Sequence, residues 1–173
     1  MGTWTKLAGG LLGCGLALNA AVNTARAEED SALVTFQMLS PEVAQALAEA
    51  TLDACRKAGF QVAVSVVDRA GVPQVMLRDR YAGAHTPDTA TRKAWTAASF
   101  RTDTLALAEV TQPGKPQSGV RGVTHALMIG GGVPIEVAGS LVGAVGVSGA
   151  PDGKNDDDCV RAGLAVIEDR LAF

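Results

Sequence analysis

His85, Thr86, Thr89, Arg92, Lys93, Thr96 and Phe100 fall in one short stretch, AHTPDTATRKAWTAASF, which brings together an imidazole, hydroxyls, two cations and an aromatic ring. The composition predicts a helix over 88–101. Positions three and four apart are neighbours on a helix, so Thr89, Arg92, Lys93, Thr96 and Phe100 share one side. Ala90, Ala94, Ala97 and Ala98 form a thin side that can lie flat on a sheet. A basic, hydroxyl-lined stripe ending in an aromatic and preceded by His85-Thr86 is a wall for an anionic ligand; a solvated helix face is the ordinary alternative. Consecutive residues diverge by about 100° around a helix, so only one of Arg92 and Lys93 is expected to face a pocket. Arg92, about 40° from Thr96, is the expected one. His85 precedes the helix and is free to swing towards a ligand. His125 shares parity with Leu127 and Ile129 in an expected strand over 124–129 and should pack on the sheet.

Other chemistry-bearing patterns fail on their own requirements. Gly130-Gly131-Gly132 is followed by a strand pattern rather than the helix a phosphate loop needs. Gly146-Val147-Ser148-Gly149 resembles a nucleophile elbow, but Ala150 stands at its last position and no His follows Ser148. Asp156, Asp157 and Asp158 lack EF-hand spacing and suit a helix N-terminus instead. No catalytic residue is assigned. Cys55 and Cys159 are compatible with a disulfide or with two buried thiols on helices, and spacing alone leaves both open.

Residues 1–27 have the anatomy of a signal peptide: Lys6, an apolar run over 7–22, and Ala25-Arg26-Ala27 as a small-x-small cleavage site. Cleavage near Ala27 is expected. Leu11-Leu12-Gly13-Cys14 also resembles a lipobox, but apolar sequence continues past Cys14. Either route exports the chain to the periplasm or beyond, with no membrane span in the mature form. Loss of Lys6 and Arg26 moves the net charge from −3 to −5. An acidic mature chain is a poor nucleic-acid binder, and no nucleic-acid partner is expected. Residues 28–39 form an N-terminal extension and 40–173 a single domain.

The elements that must position the stripe follow from patterning. Ser40-Pro41-Glu42 opens a helix with Val43, Leu47, Ala50, Ala54 and Ala58 on its apolar face, ended by Gly59. Strands follow over 61–68 and 72–79, joined by an Asp68-Arg69-Ala70-Gly71 turn. A short helix capped by Thr102-Asp103 runs to Val110, and the Pro- and Gly-rich 111–122 is a mobile loop. The stretch 130–149 reads as a hairpin turning at Ala138-Gly139-Ser140. Its second strand, 141–148, is apolar on both parities and therefore central. Gly143 and Gly146 within it mark close approach of another element. The last helix packs through Val160, Leu164, Ile167 and Leu171. The sum is an α+β fold: a five-stranded, mostly antiparallel sheet flanked by helices on both faces.

The blocks VAVSVVDRAG, RDRYAGAHTPDTATRKAWTAASF and GGGVPIEVAGSLVGAVGVSGAPDGKNDDDCVRAG resemble, in that order, the GlcG/HbpS family of haem-binding proteins, which includes the C-terminal domain of PduO-type cobalamin adenosyltransferases. The resemblance covers roughly 40–173. It implies a profilin-like or PAS-like sheet and a homo-oligomer, a dimer or larger and up to an octamer. It also implies non-covalent haem in an exported protein of haem or redox sensing or carriage. Binding would fall on the segment His85–Phe100, with His85 as the metal ligand, Thr86 and Thr96 as rivals, and Arg92 and Lys93 at the propionates. The alternative is an oligomeric accessory protein or enzyme acting on a small carboxylic acid, as in glycolate metabolism, with Arg92 and Lys93 holding the carboxylate.

Overall fold

The computed structural model describes residues 1–2 and 32–171, so the expected signal peptide, Cys14 and the Ala27 cleavage site lie outside the described residues. The chain divides into two units, Met1–Phe36 and Gln37–Phe173. The described part of the first has neither helix nor strand. The second contains helix α1 (Pro41–Lys57), strands β1 (Ala63–Asp68) and β2 (Pro73–Arg78), helices α2 (Thr86–Phe100) and α3 (Thr104–Val110), a 3₁₀ turn at Ser118–Gly122, strands β3 (Gly132–Val137) and β4 (Ser140–Ser148), and helix α4 (Gly153–Leu171).

The strands form one antiparallel sheet in the order β2-β1-β4-β3. β1 and β4 are interior, as their apolarity on both parities requires. Val62, Val64, Val66, Val145 and Val147 face α1 and α4. Val67 and Ala144 face the alanines of α2, Ala94, Ala97 and Ala98. Local chemistry sets the boundaries. The Ser40 side chain accepts from the Val43 N–H at 3.3 Å and caps α1. The Asp68 carboxylate accepts from the N–H groups of Ala70 and Val72 and closes the first turn. Ala138 and Gly139, at φ +48° and +75°, make the two-residue turn between β3 and β4. A Cβ at Gly146 would collide with the Ala90 carbonyl and come within 2.7 Å of the Ala94 nitrogen, so the missing side chain lets α2 rest on β4.

Three expectations are corrected. Residues 124–129 form no strand, so the described sheet has four strands rather than five. His125 sits at φ +69°, a left-handed conformation that breaks an extended run. The segment is instead held by side chains: Arg92 donates to the carbonyls of His125 and Ala126, and the Leu127 N–H donates to Thr96 Oγ1. His125 is exposed, tilted against Trp95 with ring centroids 6.0 Å apart, and is not packed on the sheet. Second, α1 buries Ala44, Leu47, Ala48, Thr51, Leu52 and Cys55; of the expected face only Leu47 is among them. Small side chains decide this, because a Cβ at Gly163 of α4 would overlap Thr51. Third, 111–122 is not simply a free loop, since Arg121 donates to the carbonyls of Thr111 and Ala108.

Cys55 on α1 and Cys159 on α4 are joined by a disulfide with Cα atoms 5.2 Å apart, across a sequence separation of 104. Closing a loop of that length removes about 4.7 kcal/mol of chain entropy from the unfolded state. Reduction is therefore expected to lower the unfolding free energy by about 3–5 kcal/mol. Urea melts with and without reductant check this; coincident midpoints, or two free thiols by mass, contradict it.

Candidate functional site

The first half of α2 borders a cleft of about 670 Å³. His85, Thr86, Thr89 and Lys93 line one side of it, and Ser148–Gly153 with Asp156 at the start of α4 line the other. Phe60, Tyr81 and Ile129 contribute apolar surface.

Lys93 and Asp156 close the floor. The Lys93 side chain is only 1% exposed and the Asp156 side chain 4%, and Nζ lies 2.6 Å from Asp156 Oδ2. Nζ also donates to the Val147 carbonyl at 2.9 Å. Asp156 Oδ1 accepts from the Ala150 N–H at 3.0 Å, tying the wall at 149–153 to the same pair. Burial opposes charge on both partners. It pulls Lys93 below the usual ammonium range against the attraction of Asp156 and Asp157, and pushes Asp156 above the usual carboxylate range against the attraction of Lys93.

The glycines at 130–132 make this packing fit. A Cβ on Gly131 would lie 2.5 Å from Asp156 Cβ and 3.2 Å from Lys93 Nζ. One on Gly130 would lie 2.7 Å from the Gly153 carbonyl oxygen, and one on Gly132 would overlap the Lys93 carbonyl. The run admits α2 and α4 to the edge of the sheet, and a strand rather than a phosphate-loop helix follows it.

His85 is exposed at the cleft, immediately before α2. Its carbonyl accepts from the Thr89 N–H and hydroxyl, while its ring makes no hydrogen bond among the described residues and lies over Gly83. Thr86 is buried and its hydroxyl donates to the Gly83 carbonyl at 2.8 Å. The structure thus brings His85, Thr86, Thr89 and Lys93 together. It leaves Arg92, Thr96 and Phe100 elsewhere. Arg92 reaches to 125–126, and buried Thr96 donates to the Arg92 carbonyl and accepts from the Leu127 N–H. Phe100 packs beside Leu107, Ala126 and Met128. Helical spacing placed these residues on one side but could not say which turn lies beneath which loop. Lys93, not Arg92, lines the cleft. Sequence reading missed Asp156 as its partner, because an acid near a helix N-terminus already has a local electrostatic reason to be there.

Removing one member of a buried ion pair leaves the other charge uncompensated. Lys93→Met or Asp156→Leu alone is expected to cost about 3–5 kcal/mol, whereas the double substitution recovers most of that loss. Denaturant melts of the three variants check it; additive losses contradict it.

The family model described as haem degrading protein HbpS-like matches residues 39–165. Corrinoid adenosyltransferase PduO of Salmonella typhimurium is 31% identical over 123 residues, covering 70% of this chain and 36% of PduO. The chain therefore spans about a third of that relative's length. A crystal structure of a double mutant of Streptomyces reticuli HbpS superposes with a TM-score of 0.74 at 32% identity, covering 94% of this chain and 99% of that one. A PduOC:heme complex superposes with a TM-score of 0.70 at 30% identity, covering 75% of this chain and 95% of that one.

Proposed function

The chain belongs to the HbpS-like family, and from that membership we propose that it is an exported, homo-oligomeric, haem-binding protein that senses or carries haem. The observation that carries this reading is the free imidazole of His85 beside a cleft of cofactor size. Two neighbouring facts support it: the family's description names haem, and a structural relative is a complex with heme. PduO, by its name, acts on a corrinoid, another tetrapyrrole.

The residues present suit the group. Haem iron takes an imidazole as a protein ligand, and the porphyrin supplies the other nitrogen donors itself. Among the described residues no cluster of three or more His, Cys, Asp or Glu could hold a bare metal ion, and a porphyrin needs no such cluster. His85 would hold the iron, with Thr86 and Thr89 beside it and Phe60, Tyr81 and Ile129 offering apolar contact to the ring. When bound, haem would supply redox and small-ligand chemistry; the chain's part is to bind, orient and partly shield it. Lys93 is committed to Asp156 and Arg92 to the 125–126 carbonyls. That commitment removes both cations from the small-carboxylic-acid reading and equally from the propionate contacts expected of them, so the haem reading rests on His85 and the cleft.

Export rests on the signal-peptide anatomy of 1–27 and is in keeping with the Cys55–Cys159 disulfide, which persists in oxidising compartments. No helix among the described residues is long and apolar enough to cross a membrane. The homo-oligomer, a dimer or larger and up to an octamer, has support in β2, an edge strand whose Met76 is exposed.

Hemin added to the purified chain is expected to give a saturable Soret band. His85→Ala should shift its maximum and weaken binding at least tenfold, while His125→Ala leaves both unchanged. An unaltered spectrum and affinity in His85→Ala removes the imidazole from the proposal, and Thr86 becomes the next candidate.

A further inference from the structure

Among the described residues two acids line the cleft, and they differ in what they do. Asp156 is buried and bonded to Lys93, whereas Asp152 is exposed. Asp152 immediately precedes α4, a helix of 19 residues. Its Oδ1 accepts from the Asn155 N–H at 2.8 Å, and its carbonyl accepts from the Asp156 N–H at 3.2 Å. That is the arrangement of a helix N-cap. A helix N-terminus ordinarily attracts anions, because free N–H groups and the positive end of the dipole meet there. In this cleft the chain's own carboxylate already holds that position. The Ala150 N–H, on the loop leading into the helix, is likewise taken by Asp156 Oδ1.

The cations offer a ligand's acid groups no alternative. Lys93 is the one lysine or arginine among the described lining residues, and its ammonium is sealed against Asp156. Lys154, two residues beyond Asp152, is bonded to both carboxylate oxygens of Asp158. Phe60, Ile129 and the ring of Tyr81 remain to receive an uncharged edge. An acid group turned inward would lose its water, gain no partner and meet a like charge at Asp152.

We propose, resting on the haem reading, that Asp152 is the specificity residue of the cleft. It fills the anion position at the start of α4 with the chain's own charge, so the cleft accepts tetrapyrroles through iron and apolar contact and does not read their carboxylates. The ligand class is therefore tetrapyrroles with or without free acid groups.

The test compares hemin with its bisamide, in which each propionate is replaced by an uncharged primary amide. Both are titrated into the purified chain at neutral pH and low salt, where charge effects are least screened, and followed by the Soret band. The bisamide is expected to bind at least as tightly as hemin. Asp152→Asn keeps an acceptor for the Asn155 N–H and loses the charge. In that variant the affinity for hemin relative to the bisamide should rise about two- to fivefold, the effect of removing an exposed charge from a helix N-terminus. Hemin binding the unaltered chain more tightly than the bisamide overturns the proposal and leaves the haem reading standing, and this comparison holds whether or not the variant folds. A hemin-to-bisamide ratio that stays the same or falls in Asp152→Asn also overturns it. No saturable band with either compound overturns the haem reading and the role of Asp152 with it.

Discussion

The buried ion pair between Lys93 and Asp156 is the constraint on which the rest of the structure depends. It joins residues 63 apart in sequence and ties α2 to α4 across the end of β4, where the Val147 carbonyl accepts a second hydrogen bond from Lys93. Two charges removed from water are costly unless they meet at close range with their other hydrogen bonds made. Everything around the pair serves that condition. Gly130, Gly131 and Gly132 leave room for the two helices, Gly146 lets α2 rest on the strand, and the Ala150 N–H holds the second carboxylate oxygen. The cleft lies between the start of α2 and the 149–153 loop, both of which are tied to Asp156, α2 through Lys93 and the loop through the Ala150 N–H.

The opposite face of the sheet is held by a different device. Small residues let α1 and α4 approach closely, and the Cys55–Cys159 disulfide fastens them. Cys159 lies about one turn beyond Asp156 on α4, so the ion pair holds the first turn of that helix to α2 and the disulfide holds the next turn to α1. His85 is left on the exposed rim, its backbone tied into α2 through Thr89 and its ring unbonded. A buried, hydrogen-bonded floor with an exposed imidazole at the edge is suited to taking up a planar ligand without reorganising the scaffold.

Much of this was legible in the sequence because it is local. The Ser40 cap, the Asp68 turn, the two-residue hairpin turn and the central position of β4 each follow from a few adjacent residues. The family follows from three ordered blocks. What the sequence hid is non-local. A strand pattern at 124–129 is overridden by hydrogen bonds donated by Arg92 and accepted by Thr96, more than thirty residues away. Helical spacing put Thr89, Arg92, Lys93, Thr96 and Phe100 on one side, yet the two halves of α2 are covered by different loops. Only the first half reaches the cleft. Asp156 looked like a dipole-stabilising acid, and nothing near it in sequence points to Lys93.

The central claim is that the ligand seats against the start of α2 beside His85. The chain has 2 histidines, at opposite flanks of α2, so their ring resonances report the site directly. Titration with diamagnetic zinc protoporphyrin, followed by NMR, is expected to move the His85 ring protons strongly upfield through the porphyrin ring current while those of His125 stay in place. Movement of His125 with His85 unchanged would place the ligand on the wrong side of the helix and contradict the account.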